Sequence, residues 1–143
     1  MRYLLDTNVL SEPVSARPDA RVIAWMEELP AEEILISAAS FAEIWKGIVS
    51  LGHGRRRAFL TRWVASLPGQ FPSRVLPLDV AISSEWGRLT VEAKRRGRSI
   101  DVVDLLLVAT ALVLGLTIVT RNVRHCGGWG APVINPWGDK ASD

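Results

Sequence analysis

The chain has 143 residues, of which 48% are hydrophobic and 22% are charged, and its net charge at pH 7 is +2. This length suits one domain with its own core, and the composition excludes an intrinsically disordered chain. One cysteine and two histidines exclude an internal disulfide and a Cys/His zinc site, so any metal would be a hard cation held by oxygen ligands. Because neither a membrane span nor a signal peptide is predicted, we expect a cytoplasmic protein.

Short apolar runs alternate with amphipathic segments along the chain. In chain order, the pattern predicts a strand at 2–5, a helix capped by Asp19, a strand at 34–36, a helix beginning at Ser37 or Ser40, a basic helix at 55–66 followed by a loop, a strand at 75–78, a helix capped by Asp79 and reaching 96, a helix at 101–114, a strand at 116–120 and an edge strand at 132–134. This alternation predicts an α/β fold with a central, mostly parallel sheet of four or five strands covered by helices on both faces. One domain is expected over 1–137, with a frayed tail at 138–143.

Acidic residues occur where such a sheet places its ligand site. In open α/β sheets, ligands bind beyond the carboxyl ends of the strands, which are expected here at Asp6, Ser37 and Thr120. Asp6 is either a turn carboxylate or part of a site. Glu43 either closes a capping box with Ser40 or lies one turn further into a helix that Ser37 caps. Each of these two carboxylates alone therefore leaves both interpretations open.

Asp104 is the most informative acidic residue. It opens a helix that is apolar nearly all round, and an ionised carboxylate buried there without a partner would cost several kcal/mol. A metal ion would serve as that partner, and so would Arg121. Carboxylates brought together repel one another unless a cation holds them. The residues therefore favour a Mg²⁺ or Mn²⁺ site formed by Asp6, Glu43 and Asp104.

Several segments resemble the motifs of PIN-domain ribonucleases, and within them the FitB-like branch of the VapC-type toxins of bacterial toxin–antitoxin modules. The matching segments are Leu4–Glu12, Ser37–Glu43, Asp104–Ala111, Val119–Asn122 and the ending Ile134–Trp137. They cover nearly the whole chain and occur in the order found in that family. The combination is far more specific than any single motif.

The resemblance implies a Rossmann-like PIN domain over 1–137 that acts as a Mg²⁺- or Mn²⁺-dependent endoribonuclease. It also implies that the protein forms a homodimer and is inhibited by a cognate VapB-type antitoxin. It implies that Asp6, Glu43 and Asp104 are the catalytic, metal-binding carboxylates. Hydrolysis of RNA should then leave a 5′-phosphate and a 3′-hydroxyl. Side chains expected to support the metal site or to contact RNA are those of Thr7, Asn8, Thr120, Arg121 and Asn122.

The chain departs from the family pattern at one position. Many relatives carry a fourth acidic residue where this chain has Asn122, and His125 follows a turn later, so one well-occupied metal site is expected rather than two. The basic run 94–98 is predicted to contact phosphate. Trp129 and Trp137, in glycine-flanked loops, are candidates for base stacking or dimer contacts.

Two other classes of function stay open. The chain could be a metal-dependent phosphatase of small phosphoesters, although no Asp-x-Asp nucleophile motif follows the first strand. It could also be a non-catalytic binding module with an incomplete site. The three carboxylates argue against that class, while the missing fourth keeps it open.

Overall fold

This computed structural model describes residues 1–138, which contain five short strands separated by seven helices, one or two between successive strands. In chain order they are β1 (Tyr3–Leu5), α1 (Thr7–Leu10), α2 (Ala20–Glu27), β2 (Ile34–Ser37), α3 (Ala38–Ser50), α4 (Arg55–Gln70), β3 (Val75–Leu76), α5 (Val80–Arg95), α6 (Val102–Leu114), β4 (Thr117–Val119), α7 (Val123–Cys126) and β5 (Val133–Ile134), with short 3-10 helices at Glu12–Val14 and Ala31–Glu33. Gly138 closes a turn by donating its amide to the Asn135 carbonyl. The rest of the predicted tail lies outside the described residues.

The strands form one parallel sheet in the order β3-β2-β1-β4-β5, which confirms the predicted α/β class. In the centre of the sheet, Leu5 pairs with Ile36 on one side and with Val119 on the other. The next residues along these three strands therefore reach the same edge of the sheet. They are Asp6, Ser37 and Thr120, as the sequence predicts.

Helices cover both faces of the sheet. Successive strand residues point to opposite faces, so Leu4 packs in one core cluster with residues of α5 and α6. Leu5 belongs to a cluster with Val22 of α2, and Ile36 to a cluster with residues of α3 and α4. Burial on both faces explains why the strands are apolar without alternation. None of the helices within residues 1–138 is long and apolar enough to cross a membrane.

Side-chain caps place the helix starts where the sequence predicts them. The carboxylates of Asp19, Asp79 and Asp101 each accept a backbone N–H at the start of α2, α5 and α6, at 2.9 Å. Ser37 rather than Ser40 caps α3, because its hydroxyl accepts the Ala39 amide at 3.0 Å. Glu43 therefore lies beyond the first turn of α3 and does not close a capping box.

Some local predictions are wrong. The helix predicted to end near residue 66 continues through Pro68, because buried Leu67 packs in the core and accepts the Phe71 amide at 2.9 Å. Within α3, Ile44 and Ile48 are buried, whereas the neighbouring Trp45 is 41% exposed. The helices α1 and α7 were not predicted, since four residues are too few to show a helical period.

Two glycines should respond to alanine in opposite directions. Gly115 ends α6 in the left-handed region at φ +67°, whereas Gly87 lies inside α5, and an added Cβ would have open space at both. We expect Gly115→Ala to lower the free energy of unfolding by about 1 kcal/mol, because a Cβ disfavours that φ. Gly87→Ala should raise it by about 0.5–1 kcal/mol, because alanine favours a helix interior.

Urea denaturation of both variants beside the wild type measures the two effects. Since neither substitution creates a clash, their difference isolates backbone conformation. Destabilisation by Gly87→Ala, or none by Gly115→Ala, would contradict the prediction.

Candidate metal centre

Asp6 occupies the carboxyl end of the central strand and is only 1% exposed. Its carboxylate accepts two hydrogen bonds, from the Thr120 hydroxyl at 2.6 Å and from the Thr7 amide at 2.7 Å. Its own amide donates to the Val119 carbonyl at 2.9 Å, which continues the pairing of β1 with β4. The carboxylate is thus fixed between two neighbouring strand ends.

The surroundings of Asp6 disfavour its negative charge. The pKa of Asp6 is raised to about 6: burial and the nearby carboxylates of Asp104 and Glu43 raise it, and the Thr120 and Thr7 hydrogen bonds lower it by less. Near neutral pH this carboxylate is mostly ionised, but its charge is poorly compensated. A cation beside it would supply the missing compensation.

Asp104 lies in the first turn of α6 and is only 4% exposed. Its Oδ2 lies 2.7 Å from Nδ1 of His125, which is the hydrogen-bond partner that the structure gives it within residues 1–138. Arg121, the alternative partner predicted from the sequence, is exposed and instead lies over the ring of Trp137 at 5.0 Å. The helix α7 brings His125, rather than Arg121, to the start of α6.

Glu43 is the most accessible of the three carboxylates. It is half-buried on α3, and its pKa is raised by burial and by repulsion from Asp104 and Asp101, while the Thr7 side chain lowers it. A cleft of about 360 Å³ opens beside it, lined mainly by apolar residues of α3 and α4 and by Thr7, Glu43 and Arg56. The acidic site therefore borders an open, largely apolar cleft.

The three predicted carboxylates come together at one edge of the sheet, close enough for each to affect the pKa of another. Within residues 1–138, however, no three His, Cys, Asp or Glu side chains lie close enough to hold one ion as they stand. Simultaneous ligation would need a change of side-chain rotamer or a bridging water.

The donor set nevertheless fits a hard divalent cation, since it consists of carboxylate oxygens. The buried Thr7 hydroxyl, which lies near enough to Glu43 to lower its pKa, adds a further oxygen at this site.

The predicted supporting residues surround Asp6 rather than Asp104. Thr120 donates to Asp6 and accepts the amide of Asn122 at 2.9 Å, and Asn8 accepts the amide of Arg121 at 3.4 Å. The side chain of Asn122 is exposed and makes no cap for α7. The residue that faces Asp104 is therefore His125, about one helical turn after Asn122, the position at which many relatives carry an acidic residue.

The basic run and the loop tryptophans have other contacts than those predicted. Arg96 and Arg98 lie over the ring of Trp129 and donate to backbone carbonyls of α7 and of the loop that follows it, so both are engaged with their own chain. Trp129 and Trp137 are buried, which removes both from base stacking. These contacts join residues about 30 positions apart, and no local pattern in the sequence signals them.

Comparisons with known proteins identify the family. The PIN-domain model matches residues 3–126. The chain is 35% identical to Toxin FitB of Neisseria gonorrhoeae, over 95% of this chain and 99% of FitB, and 35% identical to VapC ribonuclease Y4jK of Sinorhizobium fredii, over 94% and 96%. The crystal structure of FitAcB from Neisseria gonorrhoeae superposes with a TM-score of 0.85 at 34% identity, covering 94% of this chain and 98% of that chain. The chain belongs to the PIN-domain family, as the resemblance of its sequence motifs indicates.

Proposed function

We propose that this chain is a metal-dependent endoribonuclease and the toxin of a toxin–antitoxin module. The observation that carries the proposal is the pair of buried carboxylates, Asp6 and Asp104, with Glu43 beside them at the carboxyl edge of a parallel sheet. Buried carboxylates that repel one another are unfavourable unless a cation joins them. The names of the relatives, a toxin and a VapC ribonuclease, support RNA as the substrate.

Mg²⁺ or Mn²⁺ is the proposed cofactor, and Asp6, Glu43 and Asp104 would hold it. When bound, such an ion lowers the pKa of water and stabilises the charge that develops on the phosphate during hydrolysis. Three carboxylates supply charge for one divalent ion but neutralise two poorly, so we expect one ion per chain without RNA. His125, a softer ligand, does not replace the fourth carboxylate for Mg²⁺.

The residues of the chain itself orient the site. Thr120 and the Thr7 amide hold Asp6, and His125 holds Asp104, so two of the proposed ligands are placed before any ion binds. Glu43, half-buried beside the open cleft, has the freedom to close on the ion. This arrangement suits a polymeric substrate better than a small phosphoester, because the carboxylates border an open cleft rather than an enclosed pocket.

The antitoxin is expected to inhibit the site directly. A basic side chain of a VapB-type partner, placed among the three carboxylates, would form charge-assisted pairs with the groups that bind the metal. The resemblance to VapC-type toxins also implies a homodimer that acts in the cytoplasm. A phosphatase of small phosphoesters and a non-catalytic binding module remain the rival functions that the following experiments exclude.

The three carboxylates should act as one catalytic unit. We expect Asp6→Ala, Glu43→Ala and Asp104→Ala each to lower Mn²⁺-dependent RNA cleavage by about a hundredfold or more, because the ion contributes several kcal/mol to the transition state. The double variant Asp6→Ala/Asp104→Ala should be no slower than either single variant, since both remove the same ion.

Cleavage of structured RNA with Mn²⁺ and with EDTA measures this, with exposed Glu27→Gln as the control. A phosphatase would hydrolyse a generic phosphoester at least as fast as RNA, and a binding module would cleave neither. RNA cleavage by Asp104→Ala at the wild-type rate would refute the assignment.

Removing one buried charge should stabilise the metal-free protein. With a pKa of about 6 against 3.8 for the exposed group, Asp6 contributes stability that is present at low pH and is lost as the pH rises through about 6. In EDTA at pH 7.5, Asp6→Asn should therefore raise the free energy of unfolding by roughly 1–3 kcal/mol, and the gain should shrink at pH 4.

Urea denaturation at the two pH values measures the difference, and Glu27→Gln again serves as the control. Mn²⁺ should stabilise the wild-type protein more than Asp6→Asn. Equal stabilities of the two proteins at pH 7.5 would show that the charge of Asp6 is already compensated without metal.

Expression in bacteria should show the toxin activity. We expect the wild-type chain alone to arrest growth, and co-expression of the small reading frame beside its gene to restore it. Asp104→Ala should not arrest growth, which separates RNA cleavage from the burden of expression. Unaffected growth under expression of protein that cleaves RNA in vitro would remove the support for a toxin.

A further inference from the structure

We propose that Arg98 and Trp129 form a clamp on the C-terminal end of α7, and that this clamp positions His125 so that it orients the carboxylate of Asp104. His125 would then be a positioning residue for a metal ligand, and Arg98 and Trp129 would act through it. The inference rests on the proposed metal centre. Arg98 and Trp129, which the sequence predicts as candidates for RNA contact, would instead support the metal site.

Arg98 binds three carbonyls at the C-terminal end of α7, two within the helix and one just after it. Its guanidinium nitrogens donate to the carbonyl oxygens of Gly127 at 3.1 Å, Arg124 at 2.6 Å and His125 at 3.4 Å. Its planar fork suits several acceptors at once, which a lysine would not match. With these bonds made, Arg98 is engaged by its own chain and has little capacity left for phosphate.

Trp129 is the second member of the clamp. The guanidinium of Arg98 lies 4.4 Å from the centre of its ring and that of Arg96 lies 4.7 Å from it, both within cation–π range. The indole N–H donates to the His125 carbonyl at 2.9 Å, and the ring is only 8% exposed. The His125 carbonyl is thereby held by two donors, Arg98 and Trp129.

The glycines of the loop fit this close approach. A Cβ on Gly127 would lie 2.7 Å from the Val123 carbonyl oxygen, which is too close for any side chain. Gly128 has φ +82°, and a Cβ there would lie 3.4 Å from the Arg98 guanidinium. Only glycine allows the backbone to turn at both positions while Arg98 reaches the carbonyls.

The clamp has a direct consequence for Asp104. With the backbone of His125 fixed, its Nδ1 is placed 2.7 Å from Oδ2 of Asp104. Because a carboxylate accepts hydrogen bonds, we assign Nδ1 as the donor of this contact and Oδ2 of Asp104 as its acceptor. Asp104 has no other hydrogen-bond partner within residues 1–138, so His125 sets the direction in which the carboxylate faces and leaves Oδ1 for an ion. Residues that orient a ligand in this way raise metal affinity.

Calorimetric titration with Mn²⁺ in the absence of RNA tests the clamp on the full chain. We expect Arg98→Ala and His125→Ala to weaken Mn²⁺ binding on the order of tenfold. His125→Asn should retain most of the affinity, because its amide N–H can replace Nδ1 as the donor. The matched control is Arg95→Ala, which removes one positive charge from the same run but has only a surface pairing with Glu92.

Steady-state cleavage of RNA separates positioning from substrate binding. If Arg98 positions the metal site, Arg98→Ala should lower kcat and leave KM close to that of Arg95→Ala. If Arg98 contacts phosphate, KM should rise, its dependence on salt should weaken, and Mn²⁺ binding without RNA should be unchanged. The second pattern would overturn the proposal.

Folding is checked by circular dichroism and thermal unfolding of each variant. Should Arg98→Ala fail to fold, Trp129→Phe, which keeps an aromatic ring but loses the N–H donor, and the half-exposed His125 variants decide the matter. Wild-type affinity in His125→Ala, or absence of Mn²⁺ binding by the wild-type chain, would overturn the positioning role. Mn²⁺ binding without RNA cleavage would overturn the ribonuclease function and leave the positioning role intact.

Discussion

Burial of negative charge at the carboxyl edge of the sheet is the constraint around which this structure is arranged. Asp6 and Asp104 are both almost fully buried, and they lie near enough to repel each other. A protein tolerates such a pair only where hydrogen-bond donors or a cation compensate the charge. Each carboxylate has donors of its own: a hydroxyl and an amide from neighbouring strand ends for Asp6, and a histidine ring for Asp104.

The two sides of the site differ in rigidity for a structural reason. Asp6 and its partner Thr120 end adjacent strands of the same ladder, so their positions are fixed by the sheet itself. The partner of Asp104 comes from the four-residue helix α7, which has no long hydrogen-bonded ladder to hold it. Hydrogen bonds from Arg98, which follows α5, hold the end of α7 instead. Glu43, on the accessible side, is the proposed ligand with the most freedom to adjust.

Much of the fold and of the site could be predicted from the sequence, because both depend on local patterns. Apolar runs, capping aspartates and Gly115 mark the elements, and the rule for parallel sheets places Asp6 and Thr120 at one edge. The partner of Asp104 could not be predicted, because it depends on how the loop after α7 folds back. The proposed role of Arg98 could not be predicted for the same reason, because its carbonyl partners lie 26 to 29 residues away in the sequence.

The hydrogen bonds that hold the carboxylates without metal do not compete with an ion. Each carboxylate oxygen has two lone-pair directions, so an oxygen that accepts one bond, such as Oδ2 of Asp6, keeps a second direction open. Donors that favour the charged form offset part of the cost of burial, but the pKa of Asp6 at about 6 shows that the offset is incomplete. The remaining cost is relieved when a cation binds. The proposed metal site would therefore gain affinity from charges that are already oriented and still under-compensated, and a basic side chain from a partner protein would gain affinity from the same charges.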